Sequence, residues 1–257
     1  MFTSNPFAEL SAYIPNAVTE TFIVVMFALV VVGTLFDVIH KKSAKYFFED
    51  WQKSKTKGTN QVGGGQVMSM AVQTLASEVL TSSEFCSARR RIAHLLTMYG
   101  FVGYIVATTV MVFCYSTSDG PAIWPMMWHI GALMVCVGGY WFWFFIRADV
   151  SAEGNAIFSV SQADLFVLSL LASTTWALVW SWLGTSIIGW VAFGLYVFST
   201  AVLFGSIPWS KFAHMFFKPS AALQKRVAEA AGSRSNLPAP ADKPETLGSA
   251  RGAPTNY

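Results

Sequence analysis

Four long stretches without a charged residue constrain this chain more than any other feature. Sixteen uncharged residues lie between Glu20 and Asp37, 27 between Arg91 and Asp119, another 27 between Asp119 and Arg147, and 46 between Asp164 and Lys211. About 20 mostly apolar residues in a helix cross the hydrocarbon core of a bilayer. The four stretches therefore allow one, one, one and two crossings. Only 12% of residues are charged, against about 25% in soluble proteins. That composition excludes a nucleic-acid-binding domain, a disordered chain and a secreted disulfide scaffold, and it leaves little room for an extramembrane enzyme domain. The expected fold is all-α: a polytopic membrane protein with a five-transmembrane-helix bundle. Its helices are placed at about 17–40, 92–115, 122–146, 163–183 and 186–210, the longest stretch dividing near Gly184.

The basic residues orient that bundle, because cytoplasmic loops retain Lys and Arg. All 17 lie in the segment joining helices one and two (Lys41 to Lys57 and Arg89 to Arg91), in the three–four connection (Arg147) or after helix five. The first 16 residues and the turns at 116–121 and 184–186 contain none. The expected topology is N-out/C-in, with residues 1–16 periplasmic, a membrane domain at 17–220 and a cytoplasmic loop at 41–91. The first 16 residues lack the basic region of a cleavable signal. Trp124, Trp128, Trp180, Trp182 and Trp190 fall near outer helix ends and Trp209 near an inner one, as interfacial anchors would. Within the loop, a basic amphipathic stretch (Lys41 to Lys57) and a flexible break at Gly63-Gly64-Gly65 precede a helical pattern from Val67 to Leu80. The Ala-, Gly-, Ser- and Pro-rich tail, 221–257, is expected to be disordered.

Conventional catalytic motifs are missing. Cys86, Cys114 and Cys136 lack CxxC spacing, and there is no Walker loop, no GxGxxG after a strand and no HExxH. Ionisable residues at mid-membrane, the usual mark of pumps and ion-coupled transporters, are nearly absent. Four histidines remain. His40 ends helix one, His94 opens helix two and His214 follows helix five, all on the expected inner side, while His129 lies near the outer surface. A six-coordinate haem b clamped between helices needs two imidazoles at one depth, which the inner side offers and the outer side does not. A histidine at a helix end beside basic residues also serves simply to cap carbonyls. That reading stands for His40, and an interfacial hydrogen-bonding role stands for His129.

Two segments carry a family resemblance. Residues 207–219 read Ile-Pro-Trp-Ser-Lys-Phe-Ala-His-Met-Phe-Phe-Lys-Pro, and residues 85–103 run from Phe-Cys-Ser-Ala-Arg-Arg-Arg-Ile-Ala-His to Gly-Phe-Val-Gly. They resemble the last and second helices of the cytochrome b (gamma) subunits of respiratory nitrate reductases, and of the related membrane subunits of quinone-interacting oxidoreductases. Ala163-Asp164-Leu165-Phe166 also fits the start of helix four, so the resemblance covers about 17–220. Within this superfamily the chain is most similar to the short membrane anchors paired with adenylylsulfate reductase in sulfur-oxidising bacteria.

The resemblance implies that His94 and His214 are axial ligands to a haem b iron on the cytoplasmic side, with His40 as substitute. Two-haem relatives carry a second histidine pair where this sequence has Tyr104 and Tyr196, so one haem is implied. Those tyrosines and His129 are the candidates for the vicinity of a quinone; buried tyrosines that pair only with backbone groups are the alternative. The expected partner is a cytoplasmic flavin/iron–sulfur reductase, adenylylsulfate reductase by the resemblance, bound at the inner membrane of a bacterium. The chain would pass electrons between that partner and membrane quinone. The competing expectations are a haemless anchor that only recruits the reductase, and a small-solute transporter.

Overall fold

A computed structural model of the chain describes residues 2–40, 48–49, 51–52, 56, 58–82, 85, 87–147, 160–161, 164–207 and 214–233. Among these residues there is no strand, and the helices run in chain order α1 (Pro6–Leu10), α2 (Asn16–His40), α3 (Gly64–Thr74), α4 (Ala88–Cys114), α5 (Ile123–Trp141), α6 (Leu165–Leu183), α7 (Ile187–Gly205) and α8 (His214–Ala231). Two of them widen into π-helical turns, α3 through Leu75–Leu80 and α5 through Phe142–Ile146. Five helices are long and apolar enough to cross a membrane: α2, α4, α5 with its π-turn, α6 and α7. The protein is an all-α, five-helix membrane bundle whose spans lie within a few residues of their expected positions. Large apolar side chains such as Val32, Ile187 and Phe198 stand exposed along these helices, as a hydrocarbon solvent permits.

Two helical hairpins make the bundle, α4 with α5 and α6 with α7, joined where α5 meets α6. Small residues set the α4–α5 spacing. A methyl group on Gly100 would come within 2.7 Å of the Gly131 carbonyl oxygen, one on Gly131 within 2.7 Å of the Gly100 carbonyl oxygen, and one on Gly138 within 2.7 Å of the Ala93 carbonyl oxygen. Close backbone approach of this kind is how helices gain packing energy in lipid, where no hydrophobic driving force separates them from their solvent. Between α6 and α7 the Ser173 and Thr200 hydroxyls hydrogen-bond at 2.7 Å. At one end of the α5–α6 connection Arg147 lies over the Trp143 ring and pairs with Asp164 at 2.8 Å. Burial pushes the Asp164 carboxyl up, but the Ser161 N–H and hydroxyl and the Arg147 guanidinium together hold it below its ordinary value.

Several expectations need correction. Trp128 and Trp180 are not interfacial anchors: both are core residues, and Phe7 of α1 packs edge-on to the two rings at 5.9 and 5.4 Å. Trp182 does stand exposed. The N-terminal segment is folded back onto the bundle by Asn5, whose backbone N–H donates to Asp119 and whose amide donates to the Tyr115 and Ser118 carbonyls. The same side chain accepts the Phe7 N–H and caps α1. Gly64 and Gly65 are helical, in the first turn of α3 behind an extended Gly63. The tail is not disordered from residue 221. α8 continues to Ala231 with Val227, Ala228 and Ala231 buried, packing on α3, where the Arg226 guanidinium donates to Ser77 at 2.7 Å. Composition gave no sign of this because the burial comes from a partner helix distant in sequence. The Lys41–Lys57 stretch lies mostly outside the described residues, as do 208–213 and everything after 233.

Candidate functional site

Two places in the bundle gather the residues singled out above. The first is the start of α4. Three of its side chains reach the segment just before the helix: the Arg91 guanidinium donates to the Thr81 carbonyl at 2.7 Å, the Tyr99 hydroxyl donates to the Leu80 carbonyl at 2.7 Å, and His94 Nδ1 meets Ser82 Oγ at 3.0 Å. Ser82 is fully buried and holds a left-handed backbone, φ +48°. A non-glycine residue in that region costs about 1–3 kcal/mol and persists only where its surroundings enforce it. Here the enforced backbone aims a hydroxyl at an imidazole, and the Phe85 ring lies 5.0 Å from the His94 ring. Ser82 was not legible as a site residue, since nothing in Thr-Ser-Ser marks a left-handed backbone.

His214 begins α8, whose helix packs on α3 and its π-turn, the element that leads into Ser82. The His214 side chain lies outside the described residues. His40 ends α2, exposed, with its ring stacked on Phe36 at 5.5 Å.

The second place lies between α2 and the bundle. Tyr104 of α4 and Tyr196 of α7, 92 positions apart in sequence, both line a cavity of about 310 Å³ whose walls are otherwise mainly apolar. Tyr104 stacks on Trp128 at 5.3 Å and Tyr196 on Trp180 at 5.8 Å, which fixes both rings. His129 does not join them. It is fully buried beside Trp128, its Nδ1 is 2.7 Å from the Pro125 carbonyl and its Nε2 is 2.7 Å from Ser181 Oγ. The carbonyl can only accept, so Nδ1 carries the proton, and in the uncharged ring Nε2 accepts from Ser181. Both ring nitrogens are thus engaged, Nδ1 within α5 and Nε2 across to Ser181 of α6, and His129 does not line the tyrosine cavity.

For a haem, His94 offers the right chemistry. Ligating imidazoles usually donate the second ring N–H in a hydrogen bond that fixes tautomer and orientation; Ser82 Oγ, 3.0 Å from Nδ1, stands where that acceptor is needed, and because a hydroxyl both donates and accepts, the contact orients the ring without selecting its tautomer. No grouping of three or more His, Cys, Asp or Glu suited to a bare metal ion occurs among the described residues. No protein-family model, no curated protein and no solved structure matches this chain.

Proposed function

We propose that this protein is the membrane anchor and electron-transfer subunit of a quinone-linked oxidoreductase, holding one haem b through His94 and His214. The observation that carries this reading is the buried, left-handed Ser82 that fixes the His94 ring by its Nδ1. With Nδ1–H donating to Ser82 Oγ, Nε2 carries the lone pair that a haem iron takes from a neutral, orientated imidazole. His214 supplies the second ligand from the start of α8, and His40 is the substitute. Bound between them, a haem would take up and pass on one electron at a time.

The rest of the reading follows from charge and resemblance. With the basic residues inside, the bundle stands N-out/C-in in a bacterial inner membrane, and the His94 end faces the cytoplasm. Arg89 and Arg90 put positive charge at that end, and the sequence adds the lysines of the Lys41–Lys57 stretch to the same expected side of the membrane, a charge suited both to anionic lipid and to steering an acidic partner. The partner is a cytoplasmic flavin/iron–sulfur reductase, adenylylsulfate reductase by the resemblance of the sequence. It performs the substrate chemistry, and this chain links it to the quinone pool.

The test is optical. The purified protein, reduced with dithionite and compared with its oxidised form, is expected to show a b-type spectrum at about one haem per chain. His94→Ala and His214→Ala are each expected to abolish it. A stable but colourless wild-type protein overturns the haem and leaves a haemless anchor, and a haem that survives both substitutions assigns His40 instead.

A further inference from the structure

We propose that α3 is an interfacial helix whose open apolar side lies in the acyl layer of the leaflet at the His94 end of the bundle, a lipid surface being its partner. None of the groups assigned to the haem takes part. Met68, Val72 and Leu75 follow one another at spacings of four and three, so they share one side of the helix. Each is more than half exposed. The turn that follows is π-wound, the Thr81 N–H donating to the Ala76 carbonyl five residues back. That wider turn keeps Leu80, also more than half exposed, on the side of Leu75.

Helix α8 covers a different side. Two residues along an α-helix turn by about 200°, so buried Thr74 and exposed Val72 point in opposite directions. Ser77, which accepts from the Arg226 guanidinium of α8, lies one turn on from Thr74 on the covered side. The two helices run antiparallel, because the Ala231 carbonyl that ends α8 accepts the Asn60 N–H, four residues before α3 begins, at 3.2 Å. The pair is thus closed along one side of α3 and open along the other. A contiguous row of large apolar side chains facing water marks an interaction surface. Between Gly64 and Leu80 the sequence holds one charged residue, Glu78, so apolar area, rather than charge, is what this helix offers a partner.

Position selects lipid. The end of the π-turn is pinned to α4 from two levels, the Tyr99 hydroxyl donating to the Leu80 carbonyl and the Arg91 guanidinium to the Thr81 carbonyl. Tyr99 lies 15 residues before Cys114, the last of α4, and Arg91 lies 23 before it, which at 1.5 Å per residue is about 22 and 34 Å. A hydrocarbon core is roughly 30 Å thick, so its boundary falls between the two donors, and Leu80 and Thr81 sit at it. Tyrosine and arginine are the usual anchors at that level. Ile92 and Tyr99, seven residues apart and both exposed, carry the lipid-facing surface of α4 up to Leu80. The apolar side of α3 continues that surface. A water-soluble protein could reach it only at the membrane boundary itself, where lipid tails already stand.

Nitroxide labels read the two sides of α3 in the full chain, held in nanodiscs of phosphatidylethanolamine and phosphatidylglycerol. In a cysteine-free background, labels on Met68→Cys, Val72→Cys and Leu75→Cys are expected to collide readily with oxygen, which dissolves in lipid. Their collisions with a water-soluble nickel chelate are expected to be about tenfold rarer than those of a label on Gln73→Cys, as for a helix face about 5–10 Å below the headgroups. In phosphatidylcholine alone the pattern is expected to persist, since apolar burial holds the helix. Val72→Asp, at an exposed position away from α8, is expected to raise nickel access at position 68 to that at position 73 with the helical circular dichroism unchanged. Equal nickel access at positions 72 and 73 of the otherwise unaltered helix places α3 in water and overturns the proposal. Exclusion of both oxygen and nickel from the apolar side means that a second copy of this chain covers it, which overturns lipid as the partner. Shielding lost in phosphatidylcholine means attachment by charge alone and overturns insertion. None of these outcomes depends on haem content.

Discussion

Single residues decide what the ends and the middle of this bundle can do. Ser82 combines two opposing contributions: a left-handed backbone that costs stability and a hydroxyl that holds His94. Substitution separates them. Ser82→Ala keeps the backbone cost and loses the hydrogen bond, so it is expected to be about 1 kcal/mol less stable than wild type. Ser82→Gly loses the same bond but removes the cost of placing a side chain in the left-handed region, and is expected to exceed the alanine variant by about 1 kcal/mol. Unfolding midpoints in a common detergent check both values, and an alanine variant as stable as the glycine one would contradict the strain argument. His129 shows the converse case. Its place in the sequence, between Trp128 and an apolar helix, left a quinone role open, yet two hydrogen bonds of 2.7 Å occupy its ring, one within α5 and one joining α5 to α6. Residue type was readable there; what the ring faces was not.

At the scale of elements, the spans were legible because each is a local property. A charge in hydrocarbon is expensive at any helix position, so uncharged stretches of sufficient length report α2, α4, α5, α6 and α7 directly. The pairing of those helices depends on which small residues face which. Ala93, Gly100 and Ala107 recur every seven residues along α4 and are buried, and Gly131 and Gly138 repeat with the same spacing on α5. That signal was present in the sequence and marks the α4–α5 seam. Gly138→Ala places its new methyl 2.7 Å from both the Ala93 carbonyl oxygen and Thr97 Oγ1, and is expected to lower stability by about 1–3 kcal/mol through overpacking. Gly194, on α7, has nothing within 4 Å of such a methyl, and Gly194→Ala is expected not to lower the unfolding midpoint. Equal losses from the two changes would mean that the seam is not what fixes the helix spacing. α8 was missed for the opposite reason. Its polar, alanine-rich sequence reads as a solvated tail until α3 supplies the surface that buries Val227 and Ala228.

For the whole molecule, orientation is the property on which the proposed cytoplasmic docking depends. In a cysteine-free background, a membrane-impermeant thiol reagent applied to intact cells is expected to label Thr117→Cys, in the exposed turn after α4. Gln61→Cys, exposed just before α3, is expected to react only after permeabilisation. The reverse pattern would place the His94 end outside and remove the proposed partner. The sequence by itself determined that the chain is a five-helix membrane bundle, roughly where each span begins and ends, and that three of its four histidines lie near the ends of spans, two of them, His40 and His214, outside the long uncharged stretches. Those are consequences of transfer free energies that act residue by residue. Tertiary structure alone decided that Tyr104 and Tyr196 share one cavity while His129 stays apart, that Trp128 and Trp180 are core rather than interface, and that Ser82 holds His94. Each of these depends on helix rotation, on the void left between packed side chains or on a backbone angle imposed by distant contacts, and none of those quantities is a sum over neighbouring residues.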